Sequence, residues 1–146
     1  MAIPWRKAVT RGPVLVRSVS LKPLYWIVPV SRDGKVLGYV EVTLEFKAVG
    51  RAYFYTNPEN ARHCPRTVTR IAREKAIQLV KERCGKNIDA VLGKPVFVHD
   101  EENGLLAWMI EVKKHGQPGN RVFVTPDHVY ERKAGECRPK GFRDAT

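Results

Sequence analysis

Residues 104–124, GLLAWMIEVKKHGQPGNRVFV, decide how this chain is read. Two apolar runs flank a polar segment holding two glycines and a proline. Leu106, Trp108, Ile110 and Val112 recur at every second position, so they share one face of a strand. The segment ending in GQPGN supplies turn residues, and NRVFV returns. This is a β-hairpin, and its neighbours continue the pattern. AVLGKPVFVHD before it reads as one strand, and HVYER after it as a short fourth.

The N-terminal half holds a second hairpin. In LYWIVPVSRDGKVLGYVEVTLEF the Asp33-Gly34 pair sits between two strand-like runs, a strong short-range turn signal. Val40, Val42, Leu44 and Phe46 alternate with Glu41, Thr43, Glu45 and Lys47, which predicts one face on a core and one in water. Pro29 cannot donate a ladder hydrogen bond, so its strand is expected at an edge or locally bulged. VGRAYFYT follows as a third strand. The two hairpins echo each other, with Trp26 and Trp108 at matching places, both read as core rather than as a ligand box.

Between the halves, VTRIAREKAIQLVKERCG has helical spacing. Ala72, Ala76, Leu79, Val80 and Cys84 form the apolar stripe, Thr69 is the expected N-cap and Gly85 the residue after the helix. The order of strands, one helix, then strands predicts an α+β fold: a curved antiparallel sheet wrapped around one main helix over 69–85. The expected organisation is a basic N-terminal arm over 1–22, one domain over 23–131 with hairpin layers 23–56 and 90–131, and a flexible tail over 132–146.

Part of this pattern is similar to a known family. Ile71-Ala72-Arg73-Glu74-Lys75-Ala76, then Ala107-Trp108-Met109-Ile110-Glu111-Val112, then Val122-Phe123-Val124-Thr125 resemble the helix opening, central hairpin and returning strand of PepSY-like domains. The resemblance covers about residues 69–131, and its broader shape is similar to the cystatin-like fold. It departs from the family at Ala72, where Ser or Thr is usual, and at TPDHVY, where Asp and a Gly-containing turn are usual. Members are mostly non-catalytic and serve as peptidase propeptides, inhibitors or binding modules. The resemblance therefore implies a protein- or peptide-binding module, with a peptidase as one partner.

The remaining features bound the chemistry. The net charge is +11 over 146 residues, which favours anionic partners or plain solubility. No run approaches about 20 apolar residues, so no membrane span is expected. A cleavable signal peptide is not expected either, which favours a cytoplasmic location unless a mature secreted form was numbered afresh. Three cysteines, Cys64, Cys84 and Cys137, leave either reduced thiols or one disulfide with a free thiol. No GxGxxG or Walker loop appears, so no nucleotide cofactor is indicated.

His63-Cys64 would be a nucleophile–base pair only if a distant His99, His115 or His128 met the thiol. His63, Cys64, His99 and Asp100 are ligand types for zinc without the spacing of a known site. Neither is expected to act, so no catalytic, cofactor or metal residue is assigned. Asp100, Glu101 and Glu102 read as turn chemistry.

Three partner readings follow. The first is a protein- or peptide-binding module using sheet edges, with Trp5 as an exposed anchor, Pro29 marking one edge and Val14, Val16 and Val19 another. The second is self-assembly by donation of the Val14–Leu21 strand to a neighbouring copy. The third is nucleic-acid binding through Arg66, Arg70 and Arg73, which fall three or four residues apart on or near the helix.

Overall fold

The alternating runs do form strands, but the fold they build is not the one expected. The structure is a computed structural model that describes residues 8–10, 12–54, 67–84, 90–114 and 119–133. Strands take up 56% of the described residues and helix 12%, so the molecule is a β protein carrying one short helix. The expected α+β arrangement, an antiparallel sheet wrapped around a main helix, is therefore overturned. The chain divides into two compact units, Met1–Val16 with Pro23–Ile71, and Arg17–Lys22 with Ala72–Thr146.

The first unit is built on β1 (Val9–Thr10), β3 (Pro23–Arg32), β4 (Lys35–Val42) and β5 (Val49–Phe54). Each is antiparallel to its neighbour. Asp33 and Gly34 both have positive φ, 52° and 76°, as the mirror-image hairpin turn requires. The Asp-Gly reading thus holds. Pro29 does not mark an edge, because β3 pairs with β1 on one side and β4 on the other. The other half of that expectation holds: the β3–β4 register shifts between Val30 and Ser31, one residue beyond the proline.

β4 ends sooner than its alternation suggests. Thr43 turns the chain, its hydroxyl accepting from the amides of Lys47 and Ala48, each at 3.2 Å. Leu44 and Phe46 therefore lie in an exposed turn and do not join Val40 and Val42 in the strand. Trp26 partly covers this turn. It stacks on Phe46 at 5.4 Å and donates its indole N–H to the Leu44 carbonyl.

The second unit holds α1 (Arg73–Cys84), β6 (Ala90–Leu92), β7 (Val96–Asp100), β8 (Leu105–Lys114), β9 (Asn120–Val124) and β10 (Val129–Arg132). β7, β8, β9 and β10 form an antiparallel meander. The single strand expected over 90–100 is split at Gly93–Pro95, where the register against β8 gains a residue and Pro95 has no N–H to give. The sheet is mixed. Arg17 and Ser18, the end of β2 (Val14–Ser18), run parallel to β7 opposite Val98 and His99. Local alternation does not reveal such a pairing, because parallel partners lie across a long crossover.

Helix α1 starts later than expected. Arg70 has a positive φ of 62°, and Thr69 donates its hydroxyl to the Ile71 carbonyl, so it does not cap the helix. The first helical hydrogen bond runs from Ala76 to the Ala72 carbonyl. Ala76 and Val80 are buried, and the helix packs on β8 and β9. Register places Trp108, Ile110, Val112, Val122 and Val124 on one face of β8 and β9, as the alternation in β8 predicts, and all five are buried. The opposite face carries Val98, Ala107, Met109 and Phe123, with Val19 and Tyr130 packed against them. Full burial of a side chain such as Ile110 or Phe123 contributes about 1.5–3 kcal/mol.

Candidate partner-binding edge

Two places in the molecule depart from ordinary strand packing: a closed polar corner in the second unit and an open apolar edge in the first.

The corner forms around Asp100, which ends β7 with its side chain fully buried. Arg132 of β10 grips it with both terminal nitrogens, Nη1 to Oδ1 at 2.8 Å and Nη2 to Oδ2 at 2.7 Å. Tyr130 donates its hydroxyl to Oδ2 at 2.6 Å, and Asn103 and the Glu102 amide complete the shell. Arg132 also reaches the Glu102 carboxylate at 3.0 Å and lies 4.8 Å from the centre of the Phe123 ring. Burial alone would raise the Asp100 pKa. The Arg132 and Tyr130 hydrogen bonds and the Arg132 charge outweigh it and hold the carboxyl below its usual range. Burial, then the bond to Asp100, pushes Tyr130 up to about 12. Both Asp100 oxygens are occupied, so the corner is a clamp that ties the β7–β8 turn to β10.

The edge is β5. All of Val49, Gly50, Arg51, Ala52, Tyr53 and Phe54 are exposed. Val49 is 69% exposed and Phe54 49%. Edge strands are usually guarded by charge or proline. Here Arg51 is the only charged residue in the strand, and its guanidinium leans on the Tyr53 hydroxyl at 3.4 Å. Gly38 is what lets β5 lie close. A Cβ there would strike the Tyr53 carbonyl oxygen and come within 2.6 Å of the Phe54 ring. On the other face of β4, Tyr39 meets Tyr53 at 5.0 Å, and burial pushes Tyr39 up to about 12.

A groove of about 390 Å³ opens beside this edge, lined by Leu24, Tyr25, Glu41, Val42, Leu44 and Glu45, with Gly50 on its β5 side. The Glu41 carboxylate lies 3.7 Å from where a Cβ on Gly50 would stand.

The residues singled out from sequence are scattered. Val14 and Val16 belong to β2, with Val16 fully buried, and Val19 packs on the second unit's core. Pro29 is buried inside the first unit. Arg70 and Arg73 are exposed, one in a turn and one opening the helix. Trp5, Arg66, His63 and Cys64 lie outside the described residues. His99 sits opposite Ser18, His128 gives its backbone to Thr125, and the half-buried Cys84 is a free thiol. Among the described residues no group of three or more His, Cys, Asp or Glu is placed to hold a metal, and no helix is long and apolar enough to cross a membrane.

Sequence reasoning missed both places. Nothing local links Asp100 to an arginine 32 positions away. The openness of β5 does have a signal, VGRAYF with a single charge, but alternation alone does not say which strand stands at the edge of the sheet. Comparison with protein-family models, curated proteins and solved structures finds no match to this chain.

Proposed function

We propose that this chain is a non-catalytic binding module that takes up an extended segment of a protein or peptide along the outer edge of β5. The exposure of all six β5 residues supports this reading most strongly. An edge offers unpaired N–H and C=O groups in a row, and an incoming strand satisfies them by extending the sheet. Val49, Tyr53 and Phe54 add apolar area for alternate side chains to cover. Of possible partners, a peptidase is the one implied by the resemblance of residues 69–131 to PepSY-like sequences, and a peptidase-inhibition assay addresses it.

Strand donation by the N-terminal segment has less support. Val14–Ser18 is β2 of this same chain, and its Val16 is buried, so donation would first undo packing already made. Nucleic-acid binding also has less support. The outer helix face mixes Arg73, Lys75 and Lys81 with Glu74 and Glu82, and Arg83 pairs with Glu131 at 3.5 Å.

The test is fluorescence anisotropy with a labelled, capped Val/Thr-rich peptide, using the intact chain and a Val49→Lys/Phe54→Lys variant. Saturable binding that the variant loses supports the module. Equal binding by both proteins, or none by either, sinks it.

A further inference from the structure

The acidic groove beside β5 stands out in a protein of net charge +11. Glu41 projects from β4 and Glu45 from the turn that follows. Among the described residues neither carboxylate takes part in an ion pair. Arg51 of β5 bonds to the Tyr53 hydroxyl at 3.4 Å and feels the Glu41 charge without forming an ion pair with it. The rest of the lining is Leu24, Tyr25, Val42, Leu44 and Gly50, with Thr43 as the one neutral hydroxyl of an aliphatic residue, its oxygen already accepting from the Lys47 and Ala48 amides. Burial, followed by the Glu41 charge, raises the Tyr25 pKa, so Tyr25 lies within reach of that carboxylate. Gly50 leaves the Glu41 carboxylate uncovered on the β5 side, since no side chain stands there to shield it.

We infer that this groove is a side-chain pocket of the β5 edge and that it accepts a lysine or arginine of the incoming strand. The inference rests on the edge-binding reading and adds the chemistry of the partner: an extended segment with a basic residue near the start of β5. The aliphatic stem of such a side chain fits Leu24, Val42 and Leu44, while its charged head meets Glu41 and Glu45. A pocket at one end of the strand also sets the register, which main-chain pairing alone leaves free to slip. Two carboxylates without an ion-pair partner among the described residues favour a basic side chain over an acidic one at this groove.

The experiment uses the full isotope-labelled chain and three capped peptides, Thr-Val-Thr-X-Thr-Val-Thr with X as Lys, Gln or Glu, followed by amide NMR shifts. The expected result is shifts along Val49–Phe54 with all peptides that bind, and affinity about tenfold higher for Lys than for Glu at low salt, shrinking as salt is added. Glu41→Gln/Glu45→Gln, with its thermal midpoint retained, removes that preference while leaving the β5 shifts. Equal affinity for the three peptides with the same β5 shifts overturns the pocket and leaves edge binding standing. Shifts nowhere on β5 overturn both.

Discussion

The Asp100 corner and the β5 edge solve the same problem in opposite ways. Each lies at the margin of a sheet, where polar groups lose their ladder partners. At the corner, two side chains from β10 and two groups from the β7–β8 turn close over one carboxylate, and nothing is left to bind. Among the described residues no strand pairs with the outer side of β5, and its apolar residues are exposed. The first arrangement stabilises the fold. The second forgoes stability and leaves a surface that another chain can complete. Substitutions at the two places should therefore have separable effects, one on folding and one on binding.

The largest effect is expected at the corner. Asp100→Ala takes the two-pronged partner from the mostly buried Arg132 and leaves it only the Glu102 carboxylate at 3.0 Å, so a loss of about 3 kcal/mol is expected in a urea titration. Asp100→Leu/Arg132→Met, which removes both charges, should cost less than either single change. A double variant as unstable as the worse single one would mean that the corner is held by packing alone.

Gly38→Val comes next. The added side chain meets the Tyr53 backbone, which no rotamer change relieves, so a loss of about 1–3 kcal/mol is expected. It should fall on β5 and show as faster amide exchange there, with the second unit's meander unaffected. Uniform faster exchange would mean that the strand is not separately held.

The pH response sharpens the contrast. The folded-state pKa of Asp100 is depressed, so its contribution is present above the unfolded value, near about 4, and is lost as pH falls through the folded one. Tyr130 and Tyr39 are both raised to about 12, so their contribution is complete below their unfolded value of about 10 and is lost as pH climbs toward 12. Denaturant midpoints should thus drop at both extremes, and Asp100→Asn should flatten the acid limb.

The smallest effect on stability is expected from Val49→Lys/Phe54→Lys, within about 0.5 kcal/mol because both sites are exposed. The same variant should lose peptide binding altogether. A large drop in stability instead would show that β5 is covered in solution.

How much of this is legible in the sequence follows from the range of each interaction. The Asp33-Gly34 turn, the alternation of β8 and the Ala76 and Val80 positions of the helix stripe depend on neighbours a few residues apart, and they read correctly, whereas Ala72 falls before the helix and Leu79 and Cys84 are only half-buried. The parallel pairing of β2 with β7, the break at Gly93–Pro95 and the Asp100–Arg132 clamp join residues that local period does not connect. The early end of β4 is an intermediate case. The alternation runs on through Leu44 and Phe46, but the Thr43 hydroxyl bonds to nearby amides and wins the backbone for a turn. That turn places two apolar residues in water and builds one wall of the groove, so the site arises where the periodic reading fails.

The most direct test of an open, partner-binding β5 is amide hydrogen exchange on the intact chain, with and without the Thr-Val-Thr-Lys-Thr-Val-Thr peptide. The outward-facing alternate amides of β5 should exchange quickly in the free protein and become protected when the peptide is added, while those of β8 stay unchanged. Outward β5 amides already protected in the free monomer, or left unprotected by saturating peptide, would contradict the account.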